Sequence, residues 1–531
     1  MTHRVGALRP QDLAPDGPTA TETWLGGPAL SYPNRPRSVA EVLDRAVAAW
    51  PDAEAARDRD GSVRYAELAD RVAGCVTALG SAGLRAGDGL TVAAANSVDF
   101  LVVVLACARS GIVLSGVNLK LATPRWSDLM RSTGARLALA DPARLDAQCE
   151  AATAVQTPVL PLAELTRTAR PWGELTELWP AETDHFQVVH TSGSTGRSKA
   201  CRVVHRCSVH SGMTYQRMLQ LQRGETSAVL FPLGYISALH AHVLPAMLAG
   251  TSVLLVDTPT PRSYVPLLAE HDVAWAYAVP SWWLLALREA GLTAAKLPSL
   301  RLLGAGGSTF GNKLERDLRA ALPDTELLNV YGLSETHSPA TSLRGAEFAQ
   351  RPGSVGRPVP CMETSIRGPD GVAVPVGESG EVWLRGSLVT TGYDGMPEAT
   401  AAAITPGGWF RTGDVGRCDA DGYLWILDRL KDMINRAGQK VYSVDVEEVL
   451  RRHPAVADAA VVAAPDPLAQ ETVAAFLELV PGESVSPAEI RRHVRGELAS
   501  WAVPSIVEVL DALPRNPTGK VDKPALRATL R

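Results

Sequence analysis

Apolar positions along the chain fall in short clusters whose spacing switches between two periods. Val39, Leu43, Ala46, Val47 and Trp50 recur at helical spacing behind Ser38 and Glu41. Serine followed three residues later by glutamate is the capping-box pattern, so a helix is predicted to open there. Valine- and leucine-rich runs at 90–94 and 137–140 read as strands, with an apolar helix at about 101–108 between them. Further strand-like runs stand at 186–190, 201–205, 228–231, 252–256, 274–279 and 300–303. Their alternation with helical stretches predicts α/β layers with a largely parallel sheet. Residues 1–35, rich in proline and glycine, read as an irregular arm, and the alanine- and proline-rich 141–183 as a connection between subdomains.

From about residue 353 the texture changes to short strands and turns, at 379–386 and 409–414. The charged run Asp428-Arg429-Leu430-Lys431-Asp432 is a predicted boundary. Beyond it lie strand patterns at 459–462 and 473–480, and a helix start at Ser486, Pro487 and Glu489. The predicted class is α/β: a large N-terminal region of several subdomains over 1–428, a hinge at 429–432, and a small α+β domain over 433–531.

Composition narrows the function classes. At 531 residues the chain is too long for one core, and its 46% hydrophobic and 21% charged content is that of an ordinary globular protein. A net charge of −5 gives no electrostatic case for a nucleic-acid partner or an acidic membrane. The seven cysteines are odd in number, scattered and without a C-x-x-C pair, which argues against a disulfide framework and a zinc site. No apolar signal region opens the chain, and the most apolar window, 100–117, is interrupted by Arg109 and too short for a membrane span. A soluble, cytoplasmic protein is expected.

The stretch with most chemistry is Thr191-Ser192-Gly193-Ser194-Thr195-Gly196-Arg197-Ser198-Lys199, between two of the predicted strands. Two glycines and five hydroxyls can wrap N–H and O–H donors around an anion, and Lys199 adds a point charge. It is not a Walker loop, because only two residues separate the glycines and a strand follows. Downstream, Gly304-Ala305-Gly306-Gly307-Ser308 closes a predicted strand, where α/β sheets bind ligands. Near the end, Asn516-Pro517-Thr518-Gly519-Lys520 reads as a tight turn presenting a lysine.

Together and in this order, these stretches resemble the adenylate-forming superfamily of acyl-CoA synthetases, adenylation domains and luciferases, closest in pattern to acyl- and aryl-CoA ligases of the 4-coumarate type. The resemblance implies an ATP-dependent acid–thiol ligase with a mobile small domain. In it, Thr191, Ser192, Gly193, Ser194, Thr195, Gly196 and Lys199 would cradle the ATP phosphates. Gly306, Gly307 and Ser308 would flank adenine. In Asn329-Val330-Tyr331-Gly332-Leu333-Ser334-Glu335, Asn329 and Gly332 would border the nucleotide and Tyr331 would stack on adenine. Ser334 would meet the α-phosphate, and Glu335 with Thr195 would hold Mg²⁺. Asp414 and Arg429 would take the ribose, Lys431 would be the hinge, and Lys520 the catalytic lysine of adenylation. CoA is the implied acceptor.

One segment departs from the pattern. Where 4-coumarate-type ligases carry P-x-F-H, this chain has Pro232-Leu233-Gly234-Tyr235. Tyrosine titrates far from neutrality and cannot act as an imidazole, while Gly234 is expected to make room in a reshaped pocket. Tyr235, Ser237, His240, Ala241, Ala305 and Leu333 are the expected pocket residues, suited to a flat aryl or cinnamyl-type acid. The altered segment keeps two other acceptor chemistries open: loading a carrier-protein pantetheine, or activating nitrite to diazotise an aromatic amine.

Overall fold

The computed structural model describes residues 20–175, 180–191, 199–257, 260–308, 310–515 and 520–530. The chain packs as two compact units, Met1–Thr364 with Leu384–Phe410, and Ser365–Trp383 with Arg411–Arg531. The second unit thus takes in strands that precede the 429–432 run.

The first unit is built on two large sheets. One runs, in spatial order, Lys199–Val204, His185–Thr191, Val113–Gly116, Gly89–Ala93, Ala135–Ala140 and Val159–Pro161. Its neighbours are parallel except the first pair, an antiparallel hairpin with Lys199 opposite Thr191. The second sheet runs Arg357–Pro358, Thr341–Arg344, Glu326–Tyr331, Leu302–Gly306, Val273–Ala278, Thr226–Val229, Ser252–Leu255, Glu54–Asp58 and Gly61–Arg64. From Glu326–Tyr331 through Glu54–Asp58 it is parallel. The strand Thr226–Val229 lies between its two successors, Ser252–Leu255 on one side and Val273–Ala278 on the other, so the chain order reverses there. Such a reversal opens a crevice at the carboxyl ends of the strands. The predicted α/β class and parallel sheets are therefore what the chain adopts.

Local signals account for much of this. Ser38 caps the helix Val39–Ala49 by accepting from the Glu41 N–H at 3.1 Å. The Glu41 carboxylate reaches one residue further back than a capping box requires, to the Arg37 N–H at 2.7 Å. The helix Val98–Ser110 is buried from Phe100 to Arg109, which explains the unbroken apolar run from Phe100 to Ala108. Among the described residues no helix is long and apolar enough to cross a membrane.

Two stretches are more ordered than their composition predicts. Within the described part of the expected irregular arm, Ala20–Trp24 and Gly27–Ser31 form a hairpin turned by Gly26 at φ +82. It is docked by the Trp24 indole N–H donating to the Val389 carbonyl at 2.9 Å. Behind it lies a buried ion cluster in which Arg35 and Arg206 each reach both Glu22 and Glu182 at 2.8 to 3.1 Å. Against the cost of burial, the two guanidiniums hold Glu22 down to about 2. The expected connection at 141–183 contains the helix Leu145–Thr153 and the strand Val159–Pro161, whose three residues are too few to show a period.

The strands Phe410–Cys418 and Leu424–Arg429 pair antiparallel with Asp414 opposite Arg429, and from Arg411 onward both belong to the second unit. That unit also holds a five-stranded sheet centred on Gln470–Leu479. The predicted helix start is present as drawn: Ser486 and Glu489 close a full capping box on Pro487–Arg495. Asp428, 3% exposed, accepts from the Ser443 N–H at 2.5 Å and the Ser443 hydroxyl at 3.1 Å. Burial still dominates and lifts its carboxyl to about 6, despite the opposing pull of Lys523.

An aspartate that ionises near 6 when folded and near about 3.9 when unfolded binds the extra proton in the native state between those values. Stability should therefore fall as pH rises from about 4 to about 6, by roughly 3 kcal/mol for this group, and be flat in it above. Urea melts of Asp428→Asn across that range should lack this slope.

Candidate active site

The family-pattern residues of the first unit gather at the carboxyl edge of the larger sheet. The turn Gly306–Ser308 ends one strand and Tyr331-Gly332 end the next, and these strands are parallel neighbours with Gly306 opposite Val330. Glycine is required at 306 by space. A Cβ there would lie 2.4 Å from the Val330 carbonyl oxygen and 2.3 Å from the Tyr277 hydroxyl. At Gly307 the reason is conformational, since φ is +80. The buried Trp283 donates its indole N–H to the Gly304 carbonyl at 2.8 Å and so fixes the strand leading into this turn. Asn329 is buried, and its amide reaches the Ser354 carbonyl at 3.5 Å.

After Tyr331, one short helical turn, Ser334–Thr336, aims Glu335. Glu335 is buried, and Tyr393 donates its hydroxyl to Oε1 at 2.8 Å. The ring of Tyr393 lies under the Lys199 ammonium, 4.7 Å from centroid to Nζ. Burial and the Glu335 carboxylate raise the Tyr393 phenol far above its usual range. Lys199 and Glu335, 136 positions apart in the sequence, are thus joined through a residue that sequence reading did not single out. Ser192, Gly193, Ser194, Thr195 and Gly196 lie outside the described residues, and Thr191 enters only through its backbone in the hairpin.

The expected acid pocket begins at the reversal point. Residues 232–235 leave the strand Thr226–Val229 and are held by three side chains the sequence reading passed over. Buried Asn96 donates to the carbonyls of Val229, Phe231 and Val256 at 2.9 to 3.3 Å and accepts from the Leu233 N–H at 2.8 Å. Gln187 donates to the Gly234 carbonyl at 2.9 Å. Asn118 hydrogen-bonds to the Tyr235 phenol, which burial nevertheless pushes up to about 12. Tyr235 is therefore a neutral, fixed group at any working pH.

Gly234 has a different reason from the one expected. A Cβ at 234 would lie 2.8 Å from the Gly116 Cα, and one at 116 would lie 2.5 Å from the Gly234 Cα. The missing side chain lets two backbones touch; it does not enlarge a pocket. Gly234→Ala should cost about 1–3 kcal/mol, because neither backbone can yield. A thermal melt showing no loss would contradict the contact.

The remaining pocket residues divide. Tyr235, Ser237 and Leu333 are partly exposed, whereas His240, Ala241 and Ala305 are wholly buried. His240 lies in a π-helical turn, Leu239–Val243. Its Nδ1–H donates to the Ile236 carbonyl at 2.7 Å and its Nε2 faces the Ser208 hydroxyl at 3.0 Å. Burial lowers its imidazole to about 4. With both nitrogens taken, His240 has the partners of a satisfied core histidine, one of the two roles the sequence leaves open for it.

In the second unit, Asp414 is 2% exposed and its Oδ1 meets the Arg429 Nε at 2.6 Å. Its own N–H donates to the Thr412 hydroxyl at 3.0 Å, which donates to the Val382 carbonyl at 2.7 Å. Residue 520 is exposed as a whole, yet desolvation lowers the Lys520 ammonium, the Arg429 charge lowers it further, and Asp414 opposes both. The ammonium thus shares one electrostatic neighbourhood with Asp414 and Arg429. Arg527 pairs with the Asp432 carboxylate and reaches the Lys431 carbonyl at 3.4 Å. Asn516, Pro517, Thr518 and Gly519 lie outside the described residues.

The donor set suits a hard cation shared with a nucleotide. Among the described residues no three His, Cys, Asp or Glu side chains converge as a metal site. Magnesium held by one carboxylate and substrate phosphates needs no such cage. Glu335 offers that carboxylate, buried and oriented by Tyr393.

These features together define an enzyme that adenylates its substrate. The family model described as AMP-binding enzyme matches residues 43–394, and that of the AMP-binding enzyme C-terminal domain matches 445–520. The chain belongs to this family, the adenylate-forming superfamily. It is 32% identical to a feruloyl-CoA synthase of Amycolatopsis sp over 479 residues, 90% of this chain and 96% of that protein. It is also 32% identical to the fatty acid–[acyl-carrier-protein] ligase ScoC of Streptomyces coeruleorubidus, over 85% of this chain and 88% of that one. The ATP-bound structure of MatB from Rhodopseudomonas palustris superposes with a TM-score of 0.85 at 26% identity, over 92% and 98% of the two chains.

Proposed function

We propose that the protein uses ATP to convert a carboxylic acid of aryl or cinnamyl type into acyl-AMP, releasing pyrophosphate, and then passes the acyl group to the thiol of CoA. The observation that carries the first half is the meeting of Lys199, Tyr393 and Glu335 beside the nucleotide-edge turns. In adenylation an anionic carboxylate attacks the α-phosphorus of a polyanion. The barrier falls only where positive charge is held in place beforehand. Lys199 and the loop before it would bind the phosphates, with Ser334 at the α-phosphate. Tyr331 and the turn Gly306–Ser308 would hold adenine, and Asp414 with Arg429 the ribose. Lys520 would neutralise charge as the carboxylate closes on phosphorus. Magnesium, held by Glu335 and Thr195, would supply further charge on the phosphate oxygens. The run 429–432, with Lys431 as pivot, is the proposed hinge between residues 1–428 and 433–531.

The feruloyl-CoA synthase relative supports an aryl acid. A carrier-protein acceptor is the second reading, favoured by the carrier-protein ligase relative and by Tyr235 in the departed segment. ATP consumption measured over a panel of aryl acids, crossed with CoA, carrier protein and nitrite, separates the readings. Acid-dependent pyrophosphate release with an acyl-CoA product is expected. Consumption only with nitrite and an aminoaryl acid would overturn the ligase.

A further inference from the structure

The segment that delivers Tyr393 is fastened to the phosphate-loop strand as if it were one more strand. The Arg202 N–H donates to the Gly392 carbonyl at 3.0 Å, and the Asp394 N–H to the Ala200 carbonyl at 2.7 Å, placing Tyr393 opposite Cys201. Thr390 ties the same segment to both partners: its hydroxyl donates to the Arg202 carbonyl at 2.7 Å and its N–H to the Glu335 carbonyl at 2.8 Å. The Tyr393 N–H donates in turn to the Thr400 hydroxyl at 3.0 Å. With its backbone clamped from three sides and its ring 4% exposed, Tyr393 has little freedom to place its hydroxyl elsewhere.

Resting on the proposed assignment of Glu335 to magnesium, we infer that Tyr393 is a positioning residue for adenylation, with two separable parts. Its hydroxyl aims the Glu335 carboxylate at the metal, and its ring seats the ammonium of Lys199. A neutral phenol donating to a carboxylate makes a short, charge-assisted bond. Held through Oε1, the carboxylate keeps Oε2 for the cation and cannot swing as a bare glutamate would. Metal affinity depends on such outer partners by about 10- to 100-fold. The ring face attracts a cation without a hydrogen bond, so it holds the Lys199 ammonium without occupying an N–H donor. A tyrosine is needed for both parts at once; phenylalanine supplies only the second.

Mn²⁺ in place of Mg²⁺, titrated with a non-hydrolysable ATP analogue and followed by the EPR signal of free Mn²⁺, reads the first part without turnover. Tyr393→Phe should bind Mn²⁺ about tenfold more weakly or worse, yet bind the analogue in EDTA as wild type does. Tyr393→Leu should lose metal-free nucleotide affinity as well. Glu335→Gln is the reference. Should Tyr393→Phe not fold, 4-fluorophenylalanine at 393 keeps the ring and a para substituent but loses the donated proton, and should bind Mn²⁺ about tenfold more weakly or worse. Wild-type Mn²⁺ affinity in Tyr393→Phe, with Glu335→Gln weakened, overturns the inference and leaves Glu335 as ligand. If neither weakens, the Glu335 assignment falls and the inference with it.

Discussion

Lys520→Ala should slow acyl-adenylate formation by on the order of 10²- to 10³-fold, the loss seen when one preorganised donor to a developing anion is removed. Binding of ATP itself should stay measurable, because phosphates, adenine and ribose are each assigned to other residues. The proposed role fits its surroundings: desolvation and the Arg429 charge lower the Lys520 ammonium, and Asp414 opposes both. Lys520→Arg should not restore the rate, since a planar fork cannot replace a compact point charge in a shaped site. Single-turnover pyrophosphate release, beside nucleotide binding by fluorescence, checks both halves. Unchanged release in Lys520→Ala would remove this lysine from the mechanism.

The second large effect is expected at Asp414. A buried carboxylate accepting from the ribose hydroxyls contributes charge-assisted hydrogen bonds, about 2 to 3 kcal/mol together or roughly 10²-fold in kcat/KM for ATP. Asp414→Asn keeps the shape, removes the charge, and leaves Arg429 without its ion-pair partner at 2.6 Å. The distinguishing measurement uses 2′-deoxy- and 3′-deoxy-ATP. Wild type should penalise them strongly, and Asp414→Asn should treat them nearly as it treats ATP. Equal discrimination by both proteins would show that Asp414 holds Arg429 and not the nucleotide.

Parallel strands such as Ser252–Leu255 and Leu302–Gly306 were readable because they are buried and rich in valine or leucine, and the helices at Ser38 and Ser486 because their caps are local. Glu54–Asp58, a parallel strand with three charged residues, was not. The hairpin Ala20–Trp24 with Gly27–Ser31 was hidden: it is held by a tryptophan bonded to Val389 and by ion pairs of Glu22 with Arg35 and Arg206. No local pattern carries that information. The site shows the same division. Lys199, Glu335, Asp414 and Lys520 stand in motifs, whereas Tyr393, Asn96, Asn118 and Gln187 act through partners far away in the chain. Tyr393 is 58 positions from the carboxylate it holds, and Asn96 more than 130 from the carbonyls it bridges. Gly234 was misread for a related reason, since its neighbour Gly116 belongs to the other sheet.

The central claim is that the substrate's carboxylate oxygen attacks the α-phosphorus of ATP. Incubating the protein with ATP, Mg²⁺, CoA and an ¹⁸O₂-carboxyl-labelled aryl acid, then weighing the AMP by mass spectrometry, tests it directly. The account predicts one ¹⁸O atom in each AMP formed. AMP free of label, alongside acyl-CoA product, would contradict it.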